Sequence, residues 1–293
     1  MKKKKRCLIV YFSQWNTTES IAVEIAKGLK ASRYDVQLHN LKGQNTIPDA
    51  GEFDLLGIGT PVYYYREPFN VSKYIQGLPP LNQKPAFVFL LHGSYPEDTF
   101  TSIWNSLRKK NAKFAGLYHS KGKDIYYEYL NEGYLFSPEE PSKDYLKNAR
   151  LFGKQLAKNL KENHCEEPPV QKKARIMHRI ERSLASEFLT RIIISQLFRV
   201  NRKICDSCRK CEKVCPTENI TMIENKGLYP AFGRNCLLCL SCELKCHTGA
   251  IQSPASWKIF KGLIRHNVLE ASTDPELTNR RVQIIKGRIK PFD

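Results

Sequence analysis

Apolar positions along this chain follow two rhythms. Residues 6–12 (RCLIVYF) and 85–92 (PAFVFLLH) are nearly unbroken apolar runs, the pattern of parallel strands buried on both faces. YDVQLHN (34–40), DLLGIGT (54–60) and KFAGLYHS (113–120) read as three more strands. Between them the period changes. Ile21, Ile25 and Leu29 recur at four-residue spacing within ESIAVEIAKGLK, one face of a helix. TFTSIWNSLRKK and the stretch from Ser142 to Lys161 read as further helices. Strand–helix alternation of this kind predicts an α/β fold with a doubly wound, five-stranded parallel sheet over residues 1–162.

From Asn163 the pattern changes. NHCEEPPVQKK is a polar, proline-marked linker, and helical spacing then returns at Ile176, Ile180, Leu184 and Phe188. Residues 169–203 hold nine Lys/Arg against two Asp/Glu. Such a basic amphipathic helix suits membrane surfaces or acidic partners, and the plainer expectation is a connecting helix that buries its apolar stripe between neighbours. The pattern thus divides the chain into 1–162, a linker and basic helix at 163–200, a cysteine-rich module at 201–255 and a basic tail at 256–293. One helix near 256–270 is expected in the tail, and little structure after it.

Composition adds a compartment and a partner class. Hydrophobic residues make up 41% of 293, enough for an ordinary core. No apolar run approaches the roughly 18 residues of a membrane span. The basic head MKKKKR precedes only CLIVYF, which is too short for a secretory signal. The expectation is a cytoplasmic protein, where clustered thiols are metal or redox groups rather than disulfides. The formal charge of +18 points to acidic partners.

Eight of the ten cysteines lie in two runs, CDSCRKCEKVCP (205–216) and CLLCLSCELKCH (236–247). Cys205, Cys208, Cys211 and Cys215 map at a fixed offset of 31 onto Cys236, Cys239, Cys242 and Cys246, and Thr217 and Ile220 onto Thr248 and Ile251. Three cysteines two residues apart let a short loop wrap three corners of a cubane, while the fourth points away along a helix start. Zinc is the alternative, but structural zinc sites take four ligands from paired hooks, and here a third cysteine follows each hook at once. Two oxidised cubanes would each bring roughly −2 of charge with their thiolates, which lowers the +18 without reversing it.

In these residues the chain resembles a bacterial-type ferredoxin domain with two [4Fe–4S] clusters. The resemblance implies that the fourth cysteine of each run ligates the other cluster. One cluster then takes Cys205, Cys208, Cys211 and Cys246, and the other takes Cys236, Cys239, Cys242 and Cys215. His247 stands where the first run has Pro216. All eight corners are filled without it, so it is expected at the surface. A module of about fifty residues buries little core, so its folding is expected to depend on cluster binding.

Five strands in about 160 residues fit the flavodoxin-like order, which binds FMN at strand C-termini. VYFSQWNTTESIA resembles the phosphate loop of the flavodoxin–ferredoxin fusion family, close there to Ser-Gly-Thr-Gly-Asn-Thr. Ser13, Thr17 and Thr18 keep the hydroxyls, whereas Gln14 and Asn16 replace both glycines and Trp15 a small residue. GTPVYYYREP (59–68) resembles the family's Gly-x-Pro-x-Tyr loop, with Pro61 and Tyr63 matching. Tyr63, Tyr64 and Tyr65 are candidates to stack on a flavin ring. HGSYPEDT (92–99) would approach the ring edge through Gly93, Ser94 and Tyr95. GYLFSPEEPS (133–142) also resembles this family.

Two functional readings stay open at this point. One is an electron carrier or small oxidoreductase with two [4Fe–4S] clusters and FMN, serving an acidic redox partner protein. The other keeps the clusters on a flavodoxin-like scaffold that has lost FMN. A nucleic-acid-binding role is disfavoured because the basic runs lack interleaved aromatics. Cys7 reads as a buried small hydrophobe and Cys165 as incidental, and no histidine pairs with a plausible nucleophile.

Overall fold

A computed structural model describes residues 4–43, 46–164, 166–224 and 227–292; Cys165 lies outside these. The strands β1 (Arg6–Tyr11), β2 (Asp35–Asn40), β3 (Leu55–Pro61), β4 (Pro85–His92) and β5 (Lys113–Lys121) form one sheet. Every pairing is parallel and the order is β2-β1-β3-β4-β5, the flavodoxin-like winding. Helices α1 (Thr17–Ala31), α2 (Phe69–Gly77) and α3 (Thr99–Lys109) connect the strands. After β5 come α4 (Tyr127–Asn131) and β6 (Tyr134–Phe136), then α5 (Lys143–Lys161) and α6 (Ile176–Leu184).

Burial follows the alternation of a strand covered on both sides. Cys7, Ile9, Tyr11, Phe87, Phe89 and Leu91 pack in one cluster with Ile21, Ile25 and Leu29 of α1 and Leu156 and Ala157 of α5. The intervening Leu8, Val10, Phe12, Val88 and Leu90 point to the other face and are equally buried. Helices α1 and α5 cross at glycines on both sides. A Cβ on Gly28 would stand 2.2 Å from the Arg150 carbonyl oxygen, and one on Gly153 would stand 2.3 Å from that of Ile25. Glu24 closes the crossing with an ion pair to Arg150 and pairs with Lys27 along α1, each at 2.6 Å.

The chain divides into two compact units, and not linearly. The first holds residues 1–122 and 139–182, and the second 123–138 and 183–293. Residues 123–138, which the sequence pattern puts within 1–162, therefore belong with the second unit. So does the later part of the basic segment.

Within the second unit, α7 (Glu187–Ile192) precedes β7 (Arg199–Val200), α8 (Lys210–Val214), β8 (Ile220–Glu224), β9 (Leu228–Phe232), α9 (Ser241–Leu244) and β10 (Ile251–Gln252). Strand β7 pairs with β10 and β8 with β9, both antiparallel. Beyond them, α10 (Lys258–Thr273) is the expected tail helix. The residues after it form a hairpin, β11 (Asn279–Ile285) and β12 (Arg288–Pro291), with β11 also pairing β6. Its turn is Lys286-Gly287 with both φ positive, the two-residue geometry that suits strand twist.

The apolar stripe of the basic segment is not buried as expected. Ile176, Ile180, Leu184 and Phe188 are 76%, 49%, 47% and 69% exposed, whereas His178 is 1% exposed. The helix packs through its polar face. No helix among the described residues is long and apolar enough to cross a membrane.

Candidate functional site

Two places in the fold gather chemistry. In the second unit the 31-residue repeat is a repeat of backbone as well as of cysteines. Ser207 and Arg209 are left-handed, and so are Leu238 and Leu240, their counterparts; Glu218 and Gly249 match in the same way. Non-glycine residues adopt this conformation rarely, so its recurrence at matched positions marks two loops wound alike. Short helices then start at Lys210 and Ser241, placing Cys211 and Cys242 in their first turns.

The hydrogen bonds repeat too. Asn219 N–H donates to Cys215 Sγ and Ala250 N–H to Cys246 Sγ, both at 3.2 Å. The Thr217 hydroxyl lies 3.8 Å from Cys215 Sγ, and that of Thr248 lies 3.5 Å from Cys246 Sγ. Glu212 accepts from Met222 N–H and Glu243 from Ser253 N–H.

Charge sorts the thiols into two groups. Burial pushes the Cys242 thiol well up, and Cys239, Cys236 and Cys215 raise it further. Burial pushes Cys236 up to about 12, with Cys239 and Cys215 again contributing. Burial pushes Cys211 up to about 11, helped by Cys246 and Cys208. Cys215 thus acts on thiols of the second run, and Cys246 on a thiol of the first. In the first run Cys205 and Cys215 are half-buried and Cys208 is exposed. Thiols raised in this way ionise only with a compensating cation, which an iron–sulfur core supplies. The donor set and its N–H···S bonds fit such a core. His247 sits at this rim, with Nε2 2.9 Å from Asp206, and Nδ1 3.4 Å from Lys210 Nζ and 3.9 Å from Cys208 Sγ.

The second place is the C-terminal edge of the parallel sheet, where the loops after β1, β3 and β4 converge. Ser13 is buried; its Oγ accepts from Glu19 N–H at 3.2 Å, and Asn40 bonds both its N–H and its carbonyl at 3.1 Å. Asn16 takes the left-handed conformation (φ 64°) just before α1, an accommodation open to Asn more than to most residues. Thr17 starts the helix, and Thr18 is buried. The Gln14 side-chain oxygen accepts from the Tyr63 hydroxyl at 3.0 Å, tying the first loop to the second. Tyr63 also meets Phe12 edge-on.

After Pro61, the end of β3, the second loop makes an unusual turn. Tyr63 and Arg66 exchange backbone bonds at 2.8 and 3.1 Å, with Tyr64 (φ 49°) and Tyr65 (φ 59°) between them. Both central residues of such a turn need positive φ, hence its preference for Asn-Gly. Two tyrosines there cost roughly 1–2 kcal/mol each. What the strain achieves is the placement of Tyr65. Its ring stacks on His178 at 3.8 Å between centroids and 7° between planes, and Tyr95, from the third loop, lies 5.7 Å from the same imidazole at 29°. Gly93 and Ser94 lead into Tyr95, and the Ser94 carbonyl lies 3.0 Å from His92 Nδ1. Burial holds His92 down to about 4, so it is neutral near pH 7.

Of the flavin-loop residues expected from the sequence, Gln14 and Tyr63 meet directly, and Tyr65 and Tyr95 meet through His178. The face of Tyr65 on which a flavin ring could stack is nevertheless covered by His178, with Tyr95 beside the same imidazole. Centroids 3.8 Å apart are already in contact, so an isoalloxazine ring does not fit there in this conformation. Sequence reasoning missed His178, Glu97 and Arg175. A lone histidine on the polar side of an amphipathic pattern carries no signal of burial.

The sheet order and the loops define the class: a doubly wound, flavodoxin-like unit joined to a small α+β unit rich in cysteine. Residues 8–131 match the family model of the flavodoxin domain. Among solved structures, the chain is similar to a flavodoxin from the domain Archaea (17% identity, TM-score 0.42, covering 53% of this chain and 99% of that one). It is also similar to Megasphaera elsdenii flavodoxin (19%, 0.40, 52% and 98%) and Bacillus cereus flavodoxin 2 (20%, 0.40, 53% and 99%). No curated protein matches.

Proposed function

We propose that this protein is an electron carrier with two [4Fe–4S] clusters in its second unit, one held by Cys205, Cys208, Cys211 and Cys246, the other by Cys236, Cys239, Cys242 and Cys215. The observation that carries the reading is the repeat of the two cysteine loops in backbone and hydrogen bonding, with an N–H donor aimed at the fourth sulfur of each run. The charge of Cys215 bears on Cys236 and Cys242, and that of Cys246 on Cys211, as an exchange of fourth cysteines requires. Cys205 joins its group by equivalence with Cys236.

When bound, such clusters accept and release single electrons. The chain's own residues do the rest. Asn219 and Ala250 N–H groups point at the sulfurs of Cys215 and Cys246 and stabilise their negative charge. Burial of Cys211 and Cys242 excludes water, and more exposed Cys208 leaves one edge open to a partner. We place the protein in the cytoplasm, where thiolates persist, with an acidic redox protein as its partner, drawn by the basic surface.

The stacking of His178 on Tyr65 favours a carrier whose flavodoxin-like unit holds no resident FMN over one that needs it. Absorbance of protein purified without oxygen tests the whole reading. A broad iron–sulfur band that bleaches with dithionite is expected, without resolved flavin peaks. A colourless protein, or one that dithionite leaves unchanged, contradicts it.

A further inference from the structure

The edge where open α/β sheets take ligands lies outside the strand C-termini, and in this chain part of that edge is taken by the chain itself. His178 stacks on Tyr65, lies beside Tyr95 and is 1% exposed. Its Nδ1 donates to Glu97 at 2.7 Å. Arg175 grips the same loop three ways: its N–H donates to Glu97 at 3.1 Å, its Nε pairs with Glu97 at 3.1 Å, and its guanidinium sits 4.0 Å over the Tyr95 ring. Arg182 pairs with Asp98 one turn further along. The imidazole is thus flat, stacked and tethered by a carboxylate, in a slot built by a strained turn.

We propose that residues 175–182 are a built-in plug, in which His178 imitates a bound aromatic ring and competes with flavin for the slot lined by Tyr65 and Tyr95. The plug sets the affinity of the first unit for FMN, because only molecules with the segment lifted accept the ring. Apparent affinity falls in proportion to that lifted fraction. The tethers are charge-assisted bonds from two arginines and a histidine to adjacent carboxylates, so the closed form predominates. The rest of the site is kept: the Ser13–Thr18 loop, the αL Asn16 and the Gln14–Tyr63 bond do not depend on the plug.

The inference rests on the flavin reading of the sheet edge and is independent of the clusters. FMN dissociation constants for the full-length protein, measured by equilibrium dialysis, test it for wild type, His178→Gly, His178→Phe and Arg182→Ala. His178→Gly empties the slot and should bind FMN about 30-fold tighter than wild type. His178→Phe restores a flat ring without the bond to Glu97, so it should gain clearly less than the glycine variant. Arg182→Ala loosens a tether while leaving the slot intact, and should gain a smaller factor; it also serves if the glycine variant folds poorly. Wild type that binds FMN as tightly as the variants overturns the proposal. So does an equal gain in the glycine and phenylalanine variants, or no FMN binding by any of them. Iron content of the same samples stays unchanged under the proposal, so a failed cluster assignment would be seen separately.

Discussion

Ser256 illustrates how much one proton can decide. Its hydroxyl lies 2.7 Å from Glu128 and 2.8 Å from Glu243, both nearly buried. One hydroxyl donates once, so the second bond needs a proton on a carboxyl group. Burial raises both groups, and Glu128 reaches about 7, with Ser256 opposing the rise and Glu243 adding to it. The folded pKa exceeds the unfolded one, so this contribution to stability is complete below about pH 4.5 and is lost as pH climbs through 7. Its size is at most about 3 kcal/mol. Urea unfolding of the full chain from pH 5.5 to 8 should show stability falling with pH. Glu128→Gln, which mimics the protonated acid, should flatten that fall, and an unchanged slope would refute the shared proton. Neither this pair nor His178 was legible in the sequence. Glu128 and Glu243 sit 115 residues apart in the numbering, and an isolated Glu or His looks solvated until the fold buries it.

At the scale of elements, the sheet was legible because each strand is an apolar run bounded by polar loops. The cysteine module was legible because its spacing repeats. Less so were the pieces whose signal is short. Strand β6 is three residues, and its partner β11 lies over 140 residues further on; no local period links them. The hairpin turn Lys286-Gly287 was there to read in IIKGRI, between alternating apolar residues, but a surrounding excess of basic residues obscured it. The stripe of α6 misled because periodicity shows that a helix is two-faced, not which face is covered. Two expectations belong to this scale. Gly28→Ala places a methyl group against the Arg150 carbonyl and should cost about 3 kcal/mol in urea unfolding; a change below about 0.5 kcal/mol would show that the crossing is loose. The proposed exchange of fourth cysteines predicts a pattern of iron loss. Cys208→Ser combined with Cys246→Ser should leave about four irons per chain, as each does alone, because both strike one cluster. Cys242→Ser combined with Cys246→Ser should leave almost none. The reverse pattern would mean that each run holds its own cluster.

For the whole molecule, composition and cluster chemistry decide separate matters. The first unit has a core of its own, filled by Phe, Leu and Ile from five strands and their helices. The second has short strands and helices of four or five residues around its thiols, so metal binding is expected to carry its folding. Chelating the iron under mild acid should abolish one of two thermal transitions by calorimetry and leave the other in place; loss of both, or of neither, would contradict this division. The +18 formal charge should make association with an acidic ferredoxin-type partner fast at low salt, and stopped-flow rates should fall steeply as ionic strength rises toward 0.5 M. The claim on which the rest depends is that eight cysteines hold two iron–sulfur cubanes, and elemental analysis of the anaerobically purified chain tests it most directly. The expected result is about eight irons and about eight acid-labile sulfides per chain, whereas one or two zinc ions without sulfide, or free thiols with no metal at all, would contradict it.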